Sequence, residues 1–311
     1  MPPPDPRAVV VGVDGSGSAD DAVCWAAAEA AARRCPLHLV HAQRPPLLID
    51  PYGVALPVDG VLGHRTAAAA ALRDARSLAR DVASEITVST RLSSGPPTRA
   101  LLQATQHAQL LVIGGFARSS LYDRLARSVS SRTVTQARCP VAVIRRDTRR
   151  PGRGGGPRVV VGVGRGASGA RTIEFAFRAA RQRGVPLVAV HAWTPDLPAD
   201  LEAVSGSAAA AADEGRAALE QALASWQARF GDVAVSLALR HADPAHAVIG
   251  ESAGAALLVV GARERRGLRR TLLGSVSRTV LQQAGCPVVI VQNGHGTAPG
   301  PTPAARHGAG P

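Results

Sequence analysis

Short runs of apolar residues alternate with long alanine-rich stretches along most of the chain. The apolar runs, such as 8–13 and 110–113, are rich in valine and leucine and have the length of buried strands. The stretches between them, such as 19–34, 66–84 and 207–229, have a composition that favours helix. Alternation of this kind builds a parallel sheet with helices on both faces. The pattern therefore predicts a doubly wound α/β fold.

The whole pattern occurs twice. The apolar run 8–13 returns as 158–163, and the run 110–114 returns as 257–261. Between the two copies lies a segment rich in arginine, glycine and proline, which cannot form a regular element. We therefore predict two domains in tandem. The predicted boundaries are 1–147 for the first domain, 148–157 for the linker, 158–292 for the second domain and 293–311 for a disordered tail.

The last apolar strand of each domain, at 141–144 and 288–291, would leave an exposed sheet edge in an isolated domain. We predict that these two strands pair with each other. The chain would then form an intramolecular pseudo-dimer about a pseudo-twofold axis. A homodimer of the whole chain is left open.

The composition excludes several classes of function. All 36 basic residues are arginine, which excludes mechanisms that need a lysine amine. The net charge of +13 suits an acidic partner, but aromatic residues make up only 3% of the chain, which argues against a nucleic-acid surface that stacks bases. No apolar run reaches the roughly 18 residues of a membrane helix, so we expect a cytoplasmic protein that does not bind membranes. The four cysteines lie far apart, and no metal site is predicted.

Candidate chemistry lies at the carboxyl ends of the strands, where open α/β sheets bind their ligands. In the first half these ends carry Asp14 and Gly114. In the second half Gly261 ends a strand, and Gly274 and Ser275 open a helix. A glycine-rich loop that leads into a helix presents backbone N–H groups and the positive end of the helix dipole to a phosphate. These residues predict a site for a phosphate-bearing ligand.

Together these segments resemble the universal stress protein family in its tandem form, over about residues 7–145 and 158–291. The resemblance rests on Val-Gly-Val-Asp-Gly-Ser at 11–16, on Val-His-Ala at 40–42 and 190–192, on Leu-Leu-Gly-Ser-Val-Ser at 272–277 and on Cys-Pro-Val at 286–288. It implies the strand order 3-2-1-4-5 in each domain, and a regulatory module of the stress response that binds ATP and acts through an unknown protein partner. The nucleotide-binding residues that it implies are Asp14, Ala42, Gly114, Arg127, Ser128, Ser130, Gly261, Gly274, Ser275 and Ser277.

Both halves depart from the pattern Gly-x2-Gly-x9-Gly-Ser/Thr that nucleotide-binding members of this family carry after the fourth strand. Ala117 and Arg127 replace two glycines in the first half. In the second half Glu264 replaces the middle glycine, and Gly164 stands where the first half has Asp14. A carboxylate about 5 Å from a phosphate costs about 3 kcal/mol, or over a hundredfold in affinity. We therefore expect a nucleotide to prefer the first half.

Several of these residues have an alternative role. Asp14 accepts hydrogen bonds from a nucleotide or forms a turn before Gly15. Ser128 and Ser275 contact phosphate or cap their helices, and the two roles are compatible. The arginines near Glu264 recognise phosphate or are solvated surface residues. His41, His191, Cys139 and Cys286 are expected to be core residues without chemistry.

We expect no enzymatic turnover, because neither half offers a positioned base or a complete phosphate clamp. A slow ATPase is one alternative, although a lysine and an acidic Mg²⁺-binding motif are both missing. A second alternative is an interaction protein that has lost nucleotide binding and uses its arginine-rich surface for acidic partners.

Overall fold

The structure is a computed structural model of the 311-residue chain. It describes residues 7–43, 47–49, 55–57, 61–115, 132–145, 156–164, 169–193, 207–262 and 273–292. The predicted tail, and the predicted linker except for its last two residues, lie outside these ranges.

The first repeat contains strands and helices in alternation. Its strands are β1 (Val9–Val13), β2 (Leu37–Gln43), β3 (Leu47–Ile49), β4 (Ala55–Pro57), β5 (Val88–Ser94), β6 (Leu110–Gly114) and β7 (Val141–Ile144). Its helices are α1 (Gly17–Arg33), α2 (Val61–Val82) and α3 (Pro97–Ala104), and residues 132–136 are also helical. Strands β3 and β4 pair only with each other, as a small antiparallel ribbon.

The second repeat follows the same plan. Its strands are β8 (Val159–Gly162), β9 (Leu187–Trp193), β10 (Val235–His241), β11 (Leu257–Gly261) and β12 (Val288–Val291). Its helices are α4 (Ala170–Arg183), α5 (Ser207–Arg229), α6 (Pro244–Glu251) and α7 (Ser275–Gln283).

The two repeats share one ten-stranded sheet in the order β10-β9-β8-β11-β12-β7-β6-β1-β2-β5. Counted along each repeat without the small ribbon, this is the order 3-2-1-4-5 twice, as predicted. Neighbouring strands within each repeat are parallel, whereas β7 and β12 pair antiparallel, with Val288 opposite Val143 and Ile290 opposite Val141. The predicted pairing of the two last strands is therefore confirmed.

Apolar side chains fill both faces of this sheet. Val9 and Val11 belong to one core, beneath the long helices α1, α2, α4 and α5, whereas Val10 belongs to the core on the opposite face. Each core contains residues from both repeats. Because burial of a valine or leucine side chain contributes about 1.5–3 kcal/mol, these two cores join the repeats into one packed structure.

Two pseudo-equivalent polar contacts cross between the repeats. The guanidinium of Arg145 donates to the carbonyl oxygens of Leu281 and Ala284, near the end of α7. The side-chain amide of Gln292 donates to the carbonyl oxygen of Val134 at 2.8 Å. Gln292 and Leu281 are the counterparts of Arg145 and Val134, each 147 residues later. The two contacts are thus related by the pseudo-twofold axis, with an arginine on one side and a glutamine on the other.

A buried carboxylate joins α1 to α4. The side chain of Glu29 is only 3% exposed and accepts from Arg33 of its own helix at 2.7 Å and from Arg183 of the second repeat at 2.5 Å. The guanidinium of Arg33 lies 5.3 Å from the ring centroid of Phe175, and that of Arg183 lies 5.8 Å from the ring centroid of Trp25. These contacts form a polar and aromatic clasp between the repeats.

The cysteines are all free thiols, and three of them are buried. Burial raises the pKa of Cys139 to about 12 and that of Cys286 to about 11. We expect a thiol-specific reagent at pH 8 to modify half-buried Cys24 in the native chain long before Cys139 or Cys286, since the thiolate is the reactive form. Peptide mass spectrometry after timed alkylation measures this order, and all four thiols should react in denaturant.

The same shifts predict how stability depends on pH. Unfolded thiols ionise near pH 8.5, whereas Cys139 and Cys286 keep their protons in the folded chain. Their contribution to stability is therefore complete below about pH 8.5 and is lost as the pH rises through 11 to 12. Rapid alkylation of either thiol in the native chain would contradict the burial on which this expectation rests.

Candidate functional site

Three of the predicted site residues lie along one edge of the first repeat's sheet. β1 lies between β2 and β6, and the chain continues from β1 to β2 on one side, while β6 occupies the other side. The strand order therefore reverses at β1, and ligands of open α/β sheets bind at such a point. Asp14 follows β1, Ala42 is the penultimate residue of β2, and Gly114 ends β6.

Asp14 is exposed and organises the turn that leads into α1. Its Oδ1 atom accepts hydrogen bonds from the backbone N–H of Ser16 at 2.9 Å and from the Ser16 hydroxyl at 2.6 Å. Gly15, between them, has φ = +78°, a conformation that favours glycine. Asp14 therefore forms the turn before Gly15 that was its alternative role. Its Oδ2 atom makes no hydrogen bond to any described residue, so this oxygen is available to a ligand.

Ser16 is a residue that the sequence analysis did not single out. It is the N-cap of α1, and its hydroxyl oxygen accepts from the N–H of Ala19 at 3.3 Å. The same hydroxyl lies 3.0 Å from that of Ser18. A serine before an alanine-rich helix was a usable signal for this cap. Asp14, Ser16 and Ser18 thus form a polar cluster at the start of α1.

Gly114 is required by packing, apart from any role toward phosphate. A Cβ atom at this position would lie 2.7 Å from the carbonyl oxygen of Ser18. That oxygen belongs to the backbone of α1 and cannot rotate away. The end of β6 can therefore approach the first turn of α1 only when this residue is glycine.

We expect Gly114→Ala to lower the free energy of unfolding by about 1–3 kcal/mol, since the added methyl group would have to displace α1. Gly164→Ala is the matched control, because a Cβ atom there meets nothing within 4 Å. The control should change stability by less than about 0.5 kcal/mol. Urea unfolding of both variants measures the difference, and equal midpoints for Gly114→Ala and the natural chain would show that α1 moves aside without cost.

In the second repeat, the end of β11 is tied to the first turn of α7. The buried Ser277 hydroxyl donates to the carbonyl oxygen of Gly261 at 3.0 Å. The predicted cap at Ser275 is wrong: Gly274 is the N-cap, and Ser275 is the first residue of the helix. Gly274 has an extended backbone and supplies no capping side chain, so Ser275 does not satisfy the first N–H groups as a cap would.

The two repeats differ at their sheet edges. Gly164 of the second repeat supplies no carboxylate where the first repeat has Asp14. The Nδ1 atom of buried His191 donates to the carbonyl oxygen of Val163 at 2.9 Å. The ring centroid of Trp193 lies 6.1 Å from that of His191 and 5.7 Å from that of His241. This aromatic stack lies toward the ends of β9 and β10.

The remaining predicted site residues lie outside the described ranges. They are Arg127, Ser128 and Ser130, together with Ala117 and Glu264, which replace glycines of the family pattern. Their predicted roles stay predictions. Among the residues that the structure does describe, no cluster of three or more histidine, cysteine or acidic side chains could hold a metal ion. None of the described helices is long and apolar enough to cross a bilayer.

A comparison with models of protein families shows which family this chain belongs to. The model of the universal stress protein family matches residues 6–145 and again residues 157–292. The chain belongs to this family. The double match agrees with the tandem form of the universal stress proteins, and the family assignment made from the sequence motifs is confirmed.

Known universal stress proteins resemble the chain over most of its length. One from Mycobacterium tuberculosis is 37% identical over 292 residues, which cover 91% of this chain and 96% of the relative. One from Mycolicibacterium smegmatis is 33% identical over 288 residues, with the same shares covered. Among solved structures, a universal stress protein from Archaeoglobus fulgidus has a TM-score of 0.64 at 16% identity and covers 92% of this chain and 98% of its own. That likeness confirms the fold.

Proposed function

We propose that this universal stress protein binds an adenine nucleotide, with ATP as the first candidate, at the sheet edge of its first repeat. The observation that carries the proposal is the exposed carboxylate of Asp14 at the point where the strand order reverses. Its Oδ2 atom is free to accept a hydrogen bond from a ribose hydroxyl or an adenine amine. The first turn of α1 and the end of β6 lie beside it.

The second repeat offers a poorer site for the same ligand. It has glycine in place of Asp14, and Glu264 replaces a glycine of the phosphate-binding pattern. A ligand there would lose an acceptor and gain a repulsive charge. These differences support one nucleotide per chain, bound in the first repeat.

We further propose that the bound nucleotide regulates contacts with another protein and is not turned over. The chain has no lysine to contact the phosphates. The role in the stress response, the protein partner and the cytoplasmic location stay predictions.

Calorimetric titration of the nucleotide-free chain with ATP, ADP and AMP tests this proposal. We expect saturable binding with a stoichiometry of one, and we expect no steady release of phosphate over several hours with ATP. A flat titration with all three nucleotides would refute the binding site. Steady hydrolysis that survives repurification and is lost in Asp14→Ala would refute the absence of turnover.

A further inference from the structure

A groove of about 680 Å³ crosses the surface of the first repeat between α3 and the helical residues 132–136. Three arginines line it, namely Arg99, Arg132 and Arg138, and no lining residue is acidic. None of its lining residues belongs to the predicted nucleotide site.

The three arginines are exposed and make no ion pair with any described residue. Some other exposed arginines of the chain have partners: Arg178 pairs with Glu174 at 2.7 Å, and Arg181 pairs with Asp232 at 2.8 Å. Like charges held close together repel one another, and an anion placed among them relieves this repulsion. The groove therefore favours a ligand with several negative charges.

The second repeat shows that the fold does not require these arginines. At the positions 147 residues later, Arg99, Arg132 and Arg138 are replaced by a histidine, a threonine and a glycine. The corresponding helices, α6 and α7, are present and packed against each other. A general bias of the chain toward arginine would act on both repeats, whereas these three positions carry arginine in the first repeat alone.

The other lining groups indicate the class of ligand. Gln103, Gln106 and Gln136 carry amides that both donate and accept hydrogen bonds, as a peptide backbone requires. No aromatic side chain lines the groove, so nucleic-acid bases would find no stacking surface. The lining residues that lie on α3 run from Thr98 to Gln103, roughly 8 Å along the helix axis, which matches two to three residues of extended chain.

We propose that this groove binds an extended, acidic peptide segment of a partner protein. Aspartate or glutamate side chains of the segment pair with the three guanidinium groups, and the glutamine amides contact its backbone. The proposal goes beyond nucleotide binding, because it names the chemistry of the partner and the surface that receives it.

Fluorescence anisotropy with a labelled octaglutamate peptide tests the proposal on the full chain. Arg99→Gln, Arg132→Gln and Arg138→Gln together should weaken binding at least tenfold. The matched control carries Arg73→Gln, Arg76→Gln and Arg80→Gln, which remove the same charge from the exposed surface of α2. This control should change the affinity less than twofold, and an octaglutamine peptide should not bind the natural chain.

Three outcomes would overturn the proposal. Equal losses in the two triple variants would mean that the peptide responds to net charge alone, and no binding of octaglutamate to the natural chain would remove the site. Single-stranded DNA of equal charge that binds more tightly than the peptide, and loses affinity only in the groove variant, would assign the groove to nucleic acid. Unchanged urea unfolding of the groove variant would show that its loss of peptide binding does not come from a loss of structure. An unchanged ATP titration of the same variant would show that the nucleotide site is intact.

Discussion

Replacement of Glu29 by alanine is expected to destabilise the folded chain by about 3–5 kcal/mol. The carboxylate of Glu29 is buried and is the shared acceptor of Arg33 and Arg183, whose side chains are 15% and 18% exposed. Its removal would leave two guanidinium groups close together, largely out of water and without their carboxylate. Loss of one partner from a buried ion pair has costs of this size, because the remaining charge stays desolvated.

Urea unfolding measures this loss, and Glu174→Ala is its control. Glu174 also pairs with an arginine four residues later on a helix, but that pair is much more exposed, so the control should cost less than about 1 kcal/mol. The double variant Glu29→Ala with Arg183→Ala should lose less stability than the two single variants lose in sum. The second substitution removes one of the two guanidinium groups that Glu29→Ala leaves without a carboxylate. A cost below 1 kcal/mol for Glu29→Ala would show that water or rearrangement replaces the carboxylate.

Asp14→Ala is expected to abolish the calorimetric signal for ATP. The substitution removes the free Oδ2 acceptor and the two hydrogen bonds that Oδ1 accepts from Ser16. Asp20→Ala is the matched control, because Asp20 is an exposed aspartate in the first turn of the same helix. It removes the same charge nearby and should leave ATP binding unchanged. Urea unfolding of both variants shows whether the loss of binding reflects a loss of structure.

Glu264→Gly tests the expected difference between the repeats by a change in the second repeat. Removal of its carboxylate should create or strengthen a second site, so the stoichiometry of ATP would rise toward two per chain. Unchanged affinity in Asp14→Ala would show that the proposed half is the wrong one. The same conclusion would follow if ATP were found only beside Gly261 and Ser275.

The sequence predicted the strands and their order well, because each strand is a short apolar run bounded by polar or turn residues. The last strands, Val141–Ile144 and Val288–Val291, and the helix Ser207–Arg229 occur at the predicted residues. The pairing of β7 with β12 was predictable because an apolar edge strand requires cover. The small ribbon of β3 and β4 was not predicted, because the prolines around it disfavour regular strands.

Contacts between segments that are distant in the sequence could not be predicted from it. Glu29 and Arg183 are 154 residues apart, and their contact depends on how α1 packs against α4. The aromatic stack around Trp193 depends likewise on the register of β9 and β10. At the candidate site the motif located Asp14 and Gly114 correctly at the sheet edge. It did not show that packing against Ser18 already demands glycine at position 114, which only the placement of α1 reveals.

The antiparallel pairing of β7 with β12 joins two halves of a single polypeptide. An association between separate subunits weakens on dilution, whereas the effective concentration of one half around the other is set by the chain that connects them. The clasp at Glu29 therefore needs only one carboxylate for its two arginines, because within the chain the first half pairs with a second half of different sequence. Each chain thus carries one Asp14 edge and one cationic groove within its described residues.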